Sequence, residues 1–241
     1  MTHATPPDDL EVNTFTLLGR CERTGRFGIG ITTRTIAVGS RCFFVRPPYG
    51  IMVSQAFVNT GLAWLGAGLL EQGYPAAKVL QEIESSEPHI EYRQIGIVDA
   101  SGAAVARTGK QNAAWAGHIA KPNFVAMGNV LLGEHVVTAM AQAFESSAAE
   151  DLDERLLRAI EAGRDAGGQH KGQKSATLTV YAAKPFPVVD LRVDDHPEPI
   201  GELRRIFELT KPLRPYYERT VSNPVGLPLW GDWLAQQQRG R

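Results

Sequence analysis

Residues 11–20, EVNTFTLLGR, decide how the chain is read. From Asn13 the stretch reads as a β-strand, and Thr14 stands at its head behind a polar preamble, MTHATPPDDLEVN. That preamble admits two readings. It is an extension, or it is a propeptide whose removal at the Asn13–Thr14 bond gives Thr14 a free α-amine.

The next segments set the fold class. RFGIGITTR (26–34) is a second strand, joined to the first through a turn at Thr24-Gly25. YGIMVSQAF (49–57) is a third. Two helices follow: NTGLAWLGAGLLEQG (59–73), capped by Asn59 or Thr60 with Leu62, Leu65 and Leu69 on its apolar face, and PAAKVLQEIESSEP (75–88). YRQIGIVDASGAAVARTG (92–109) is a hairpin, and Trp115 to Asn129 reads as extended. A second helix pair covers 133–147, with Val136, Val137, Met140 and Phe144 on one face, and 151–168, where Asp151 and Glu154 have capping-box spacing. Strands at 175–183 and 188–193, a helix over 197–210 and a proline- and tryptophan-rich tail complete the chain.

Helices that arrive in consecutive pairs do not fit βαβ alternation. Antiparallel sheets covered by helical layers fit better, so the expected class is α+β. The expected division is an extension or propeptide over 1–13, a domain over 14–184 and a C-terminal extension over 185–241.

Composition excludes several functions. With 25 basic and 26 acidic side chains the net charge is -1, and no basic arm recommends nucleic acid or a membrane surface as partner. Cys21 and Cys42 lack metal-site spacing, and no histidine pair has the i, i+4 spacing of a helical zinc site. Asp194–Pro199 (DDHPEP) is the best local metal candidate, but reads better as a polar loop before a helix. No cofactor and no metal are expected. No glycine run forms a dinucleotide or P-loop signature, so the glycines of FGIGITT read as packing residues. The preamble lacks a signal-peptide pattern and no apolar run spans a bilayer, so a cytoplasmic location is expected.

Polar residues inside apolar strands are the remaining anomaly: Thr33 and Arg34, Ser54 and Gln55, Glu91 and Arg93, His118 and Asn129. Such residues need a partner or a pocket.

Several collinear blocks carry a family resemblance. TFTLLGR, GRFGIGITTRTIAVGS, VSQAFVN, EYRQIGIVDASGAAVARTG, WAGH, GNVLLG, GGQHKGQKSA and VDLRVDDHPEPIGELRRIF together resemble the DUF1028 family of the N-terminal-nucleophile (Ntn) hydrolase-like superfamily. The resemblance implies a four-layer αββα sandwich of two antiparallel sheets between helical layers. It also implies a mechanism in which the first residue of the mature chain attacks an amide carbonyl and its own α-amine is the base; such an amine titrates near ~7.7. Relatives commonly open with Met-Thr-Phe-Ser, so their threonine corresponds to Thr14, and Thr16 stands in place of the serine.

On this resemblance Thr14 is the nucleophile, Asn129 and the backbone amides near Thr33 are oxyanion candidates, and His118 is a possible acid or substrate contact. Arg34, Glu91, Arg93, Ser54, Gln55, Asn59 and Ser175 form the substrate-binding set, with Arg34 a fork for a carboxylate and Glu91 and Arg93 either pairing or lining the pocket. KGQKSA departs from the relatives' Arg-Gly-Arg-Gln-Ser-Ala, although Ser175 is kept. The expected activity is hydrolysis of an amide, ureido or enamine-type C–N bond in a small, possibly carboxylated molecule. The alternatives are a non-catalytic ligand- or partner-binding protein, and a hydrolase whose water is activated by Glu91 or His118. The apolar tail LPLWGDWLAQQQ (227–238) packs back or joins subunits, so a homodimer or higher homo-oligomer is expected.

Overall fold

A computed structural model describes residues 13–113 and 115–239. The expected extension or propeptide, apart from Asn13, lies outside them.

β1 (Thr14–Arg20) and β2 (Phe27–Thr33) form the expected hairpin, with Gly25 at φ 66 in its turn. β3 (Phe43–Arg46), a four-residue strand, was not apparent in the sequence. β4 (Gly50–Ala56) precedes α1 (Thr60–Glu71) and α2 (Ala76–Ser86). β5 (Arg93–Asp99) and β6 (Ala104–Thr108) form one hairpin, β7 (Trp115–Lys121) and β8 (Phe124–Leu131) another. α3 (Glu134–Ser146) and α4 (Leu152–Asp165) are followed by β9 (Ser175–Tyr181), β10 (Pro187–Val193) and α5 (Pro199–Thr210). The tail folds into α6 (Arg214–Ser222) and α7 (Trp230–Arg239).

One sheet runs β10-β9-β2-β1-β8-β7 and the other β3-β4-β5-β6, every pairing antiparallel. Strand alternation gives three apolar layers. Phe15 and Leu17 face α3, α4 and α5 across the larger sheet. Leu18, Ile29, Ile31, Val53 and Met127 fill the space between the sheets. Met52, Ile95 and Ile97 meet α1 and α2. The result is the four-layer αββα sandwich.

Gly28 and Gly30 allow α4 to lie against β2. A Cβ on Gly28 would stand 2.7 Å from Leu156 Cδ1 and 2.8 Å from the Thr179 carbonyl oxygen; one on Gly30 would stand 3.0 Å from the Leu156 carbonyl oxygen. Their reading as packing glycines thus has a physical cause.

Two local expectations are corrected. The buried face of α1 is Leu62, Ala63, Gly66, Ala67 and Leu70, while Leu65 is exposed. Small residues bring this helix onto Met52, whose Sδ would lie 1.9 Å from a Cβ on Gly66. No side-chain cap forms at Asp151. Asp151 pairs with Arg23, and Glu154 turns to Arg158, Arg204 and Lys211.

Beyond Pro185 the chain continues the same sandwich: β10 is the edge strand beside β9, and Ile200, Leu203 and Phe207 of α5 are buried in the outer core. Trp230 and Trp233 pack on Tyr216. Among the described residues no helix is long and apolar enough to cross a membrane.

Candidate functional site

Four polar residues stand in one row across the larger sheet. Thr14 of β1 is the register partner of Thr33 on one side and Asn129 on the other, and Thr33 is the partner of Ser175. Each shares its strand face with residues of the inter-sheet core, so Ser175, Thr33, Thr14 and Asn129 face the smaller sheet. Directly opposed residues have Cβ atoms about 4.5–5.5 Å apart, which places neighbouring hydroxyls and amides within reach.

The hydroxyl directions follow from one acceptor. Thr33 Oγ1 lies 2.5 Å from the carbonyl oxygen of Asn13, which can only accept, so Thr33 donates to it. Thr33 then accepts from Thr14, whose Oγ1 is 3.1 Å away. The Arg34 backbone N–H is a second donor to the Asn13 carbonyl, at 3.3 Å. Asn13 is fully buried, and its Nδ2 donates to the His170 carbonyl.

Thr14 and Thr33 open onto a cavity of about 330 Å³ whose wall includes Thr35, Arg41, Cys42, Gln55, Phe57 and Arg93. That volume lies near the lower end of small-molecule sites. Ala56, also in the wall, holds φ 68, and Val130, next to Asn129, holds φ 53. A left-handed valine is a strained backbone position of the kind that gathers at functional sites. Burial pushes the Cys42 thiol up to about 11, so it carries no thiolate at neutral pH.

Arg93 reaches this wall under restraint. It donates to the Phe57 carbonyl and pairs with Glu87 at 3.4 Å, and its buried Nε has no partner among the described residues. Glu87 is itself tied by Asn59 Nδ2 at 3.0 Å and the His89 N–H. Burial pushes the Glu87 carboxyl up, but the His89 amide, Asn59 and Arg93 outweigh it and hold the group below its ordinary value.

The expected residues thus divide. Thr14, Thr33, Gln55 and Arg93 meet at the cavity. Asn129 stands beside Thr14 in the row, and Ser175 holds the loop behind the wall, donating to the Thr35 carbonyl at 2.6 Å and accepting from the Val38 N–H. Asn59 caps α1 and reaches the site only through Glu87. Glu91 does not pair with Arg93; it pairs with Arg107 at 2.6 Å, because the turn at Ile90–Tyr92 sends the two side chains to different neighbours. Ser54 lies on the helix-facing side of β4, opposite in sense to Gln55. Arg34 donates to the Lys171 carbonyl at 2.5 Å and is not part of the wall. His118 is exposed on β7, its Nδ1 2.9 Å from Thr108 Oγ1. Arg41, Cys42 and Phe57 were missed. They sit in loops or at a strand end, where no periodicity marks them.

A larger cavity, about 660 Å³, lies at the far end of β1 between Arg20 and Arg155 and holds none of the expected residues. Among the described residues no group of three or more His, Cys, Asp or Glu could hold a metal ion.

The layering is the αββα sandwich expected from the sequence, with Thr14 at the head of β1 facing an inter-sheet cavity. The chain belongs to a family of unknown function, DUF1028, whose model matches residues 14–203. The crystal structure of protein SPO2555 from Silicibacter pomeroyi, a member of the same family, is similar at a TM-score of 0.76 and 29% identity, over 83% of this chain and 89% of that one. Anbu (ancestral beta-subunit) from Yersinia bercovieri matches at a TM-score of 0.39 and 12% identity, over 89% of this chain and 98% of that one. Anbu from Hyphomicrobium sp. strain MC1 matches at 0.39 and 13%, over 85% and 97%. No curated protein matches the chain.

Proposed function

We propose that the protein hydrolyses an amide, ureido or enamine-type C–N bond in a small carboxylated molecule, with Thr14 as nucleophile after the Asn13–Thr14 bond is broken. The observation that carries this reading is the hydroxyl chain from Thr14 through Thr33 to the Asn13 carbonyl. Two donors, Thr33 Oγ1 and the Arg34 N–H, already hold the oxygen that becomes negative when Thr14 Oγ1 attacks the Asn13 carbonyl carbon. In that step the Oγ1–C bond forms and the C–N bond breaks. The hydroxyl proton passes to the departing nitrogen, leaving an ester that water hydrolyses to the Asn13 carboxylate and a free Thr14. The same hydroxyl then attacks substrate, with its own amine as base.

The cavity wall supports an internal base. Among the described residues it contains no Asp, Glu, His or Lys, and its thiol stays protonated. Glu91 and His118 lie outside it, which weighs against water activated by either. The family match begins at Thr14. Arg41 and Arg93 on the wall recommend a carboxylated substrate.

A second reading is favoured by Asn13 itself, which is buried and hydrogen-bonded as a permanent residue would be. On it the protein binds a small ligand without turning it over. The intact mass of the purified protein separates the two. A mass of Thr14–Arg241 supports the hydrolase; a chain that keeps Asn13 removes it.

A further inference from the structure

A buried run of side-chain amides stands behind Thr14, and its polarity is fixed from one end. Gln94 Nε2 lies 2.8 Å from the Gly128 carbonyl oxygen and 3.0 Å from that of Gly117. Backbone carbonyls only accept, so that end of the Gln94 amide is its nitrogen. The other end, Oε1, must then accept, and two nitrogens reach it: Gln55 Nε2 at 2.7 Å and Asn129 Nδ2 at 3.1 Å. Gln55 Oε1 in turn accepts from Thr16 Oγ1 at 2.6 Å. Asn129 is thereby oriented. Its nitrogen donates to Gln94, and its buried Oδ1 has no partner among the described residues.

Asn129 is the register partner of Thr14 on the same sheet face. We propose that Gln94 is a positioning residue that turns the Asn129 oxygen toward the head of β1 as the acceptor for the Thr14 α-amino group, fixing the base beside its nucleophile. The inference rests on the release of that amine argued above. Gln94 Oε1 takes one of the two N–H groups of Asn129, so the oxyanion role expected of Asn129 falls to the other.

Among the described residues the charged and titratable groups on the adjoining cavity wall are Arg93 of β5, paired with Glu87, and Arg41 and Cys42 ahead of β3. A well-placed neutral acceptor therefore has a clear electrostatic effect on an amine there.

The test uses the full-length protein and needs no substrate. Its intact mass is measured first, then the Thr14 α-amine is labelled with acetic anhydride across a pH series and the N-terminal peptide is quantified. Losing the acceptor (Asn129→Leu) or its support (Gln94→Met) should lower the labelling midpoint by about one pH unit, and Asn129→Asp, which is isosteric, should raise it. Midpoints equal to that of the unaltered protein in Gln94→Met and Asn129→Asp overturn this inference while leaving Thr14 as nucleophile. A chain that retains Asn13 overturns both.

Discussion

Thr14 and Thr33 are register partners on adjacent strands, and their hydroxyls, 3.1 Å apart, point in sequence toward the Asn13 carbonyl. Removing the Thr33 hydroxyl takes away a donor to that carbonyl and the acceptor that orients Thr14. Thr33→Val should slow release of the N-terminal segment by about 100-fold or more, and Thr33→Ser should restore most of the rate. Intact mass followed over hours after purification measures both.

Substrate choice should follow the wall and not Arg34. Arg41→Met is expected to raise KM for carboxylated amides by about tenfold, a loss of one charge-assisted contact. Arg34→Met should leave KM within about twofold, since that side chain is not part of the cavity wall. Rates on matched pairs of small amides, with and without a carboxylate, provide the comparison. Equal losses on both members of each pair would argue against anion recognition.

The sandwich depends on the bare backbone of β2. Gly28→Ala puts a methyl group 2.8 Å from a backbone carbonyl and 2.7 Å from Leu156, and the carbonyl cannot move without disturbing the β2–β9 ladder. Overpacking of this kind costs about 1–3 kcal/mol. Urea unfolding should show a lower midpoint with an unchanged slope.

Acid should loosen the docking of α5 on α4. Burial raises the Glu154 carboxyl, but hydrogen bonds from Arg204 and Arg158 and the charge of Lys211 reverse this and bring it down to about 2. A lowered carboxylate contributes stability that is complete above its unfolded value and is lost as pH falls from there toward the folded one. The window is therefore about pH 4.5 down to 2, and the loss is on the order of 3 kcal/mol. Across that window the stability of Glu154→Gln should fall less steeply than that of the unaltered protein. Parallel curves would remove the assignment.

The tail offers exposed apolar surface for the self-association expected from the sequence. Val225 and Leu229 are each 79% exposed, beside an aromatic cluster formed by Tyr216, Tyr217 and Trp230. Light scattering on a chain ending at Lys211 should report a smaller assembly than the full chain. An unchanged assembly state would place any subunit contact elsewhere.

The layered fold was legible because its signals are local. Paired helices after paired strands argued against a parallel sheet, and the strand read from Asn13 onward is β1. β3 escaped because four residues are too few to show a period. The face of α1 was misread because glycine and alanine, not leucine, make its closest approach. In the row Ser175–Thr33–Thr14–Asn129, Thr33 and Asn129 were marked as polar interruptions and Thr14 and Ser175 by the family resemblance, but its being a row depends on register, which is a property of pairing between distant segments. Gln94 was overlooked beside Glu91 and Arg93, although the same rule, a polar residue opening an apolar strand, applies to it.

The polar row and the amides behind it are uncharged, whereas two guanidiniums stand on the cavity wall. A lone ammonium at the head of β1 would be poorly solvated and would face like charges, so the local field favours the amine with its electron pair free. General bases in buried sites are more often carboxylates or imidazoles held by partners. Here basicity would be governed by what surrounds a chain terminus, and it would come into being only at the moment the chain is cut.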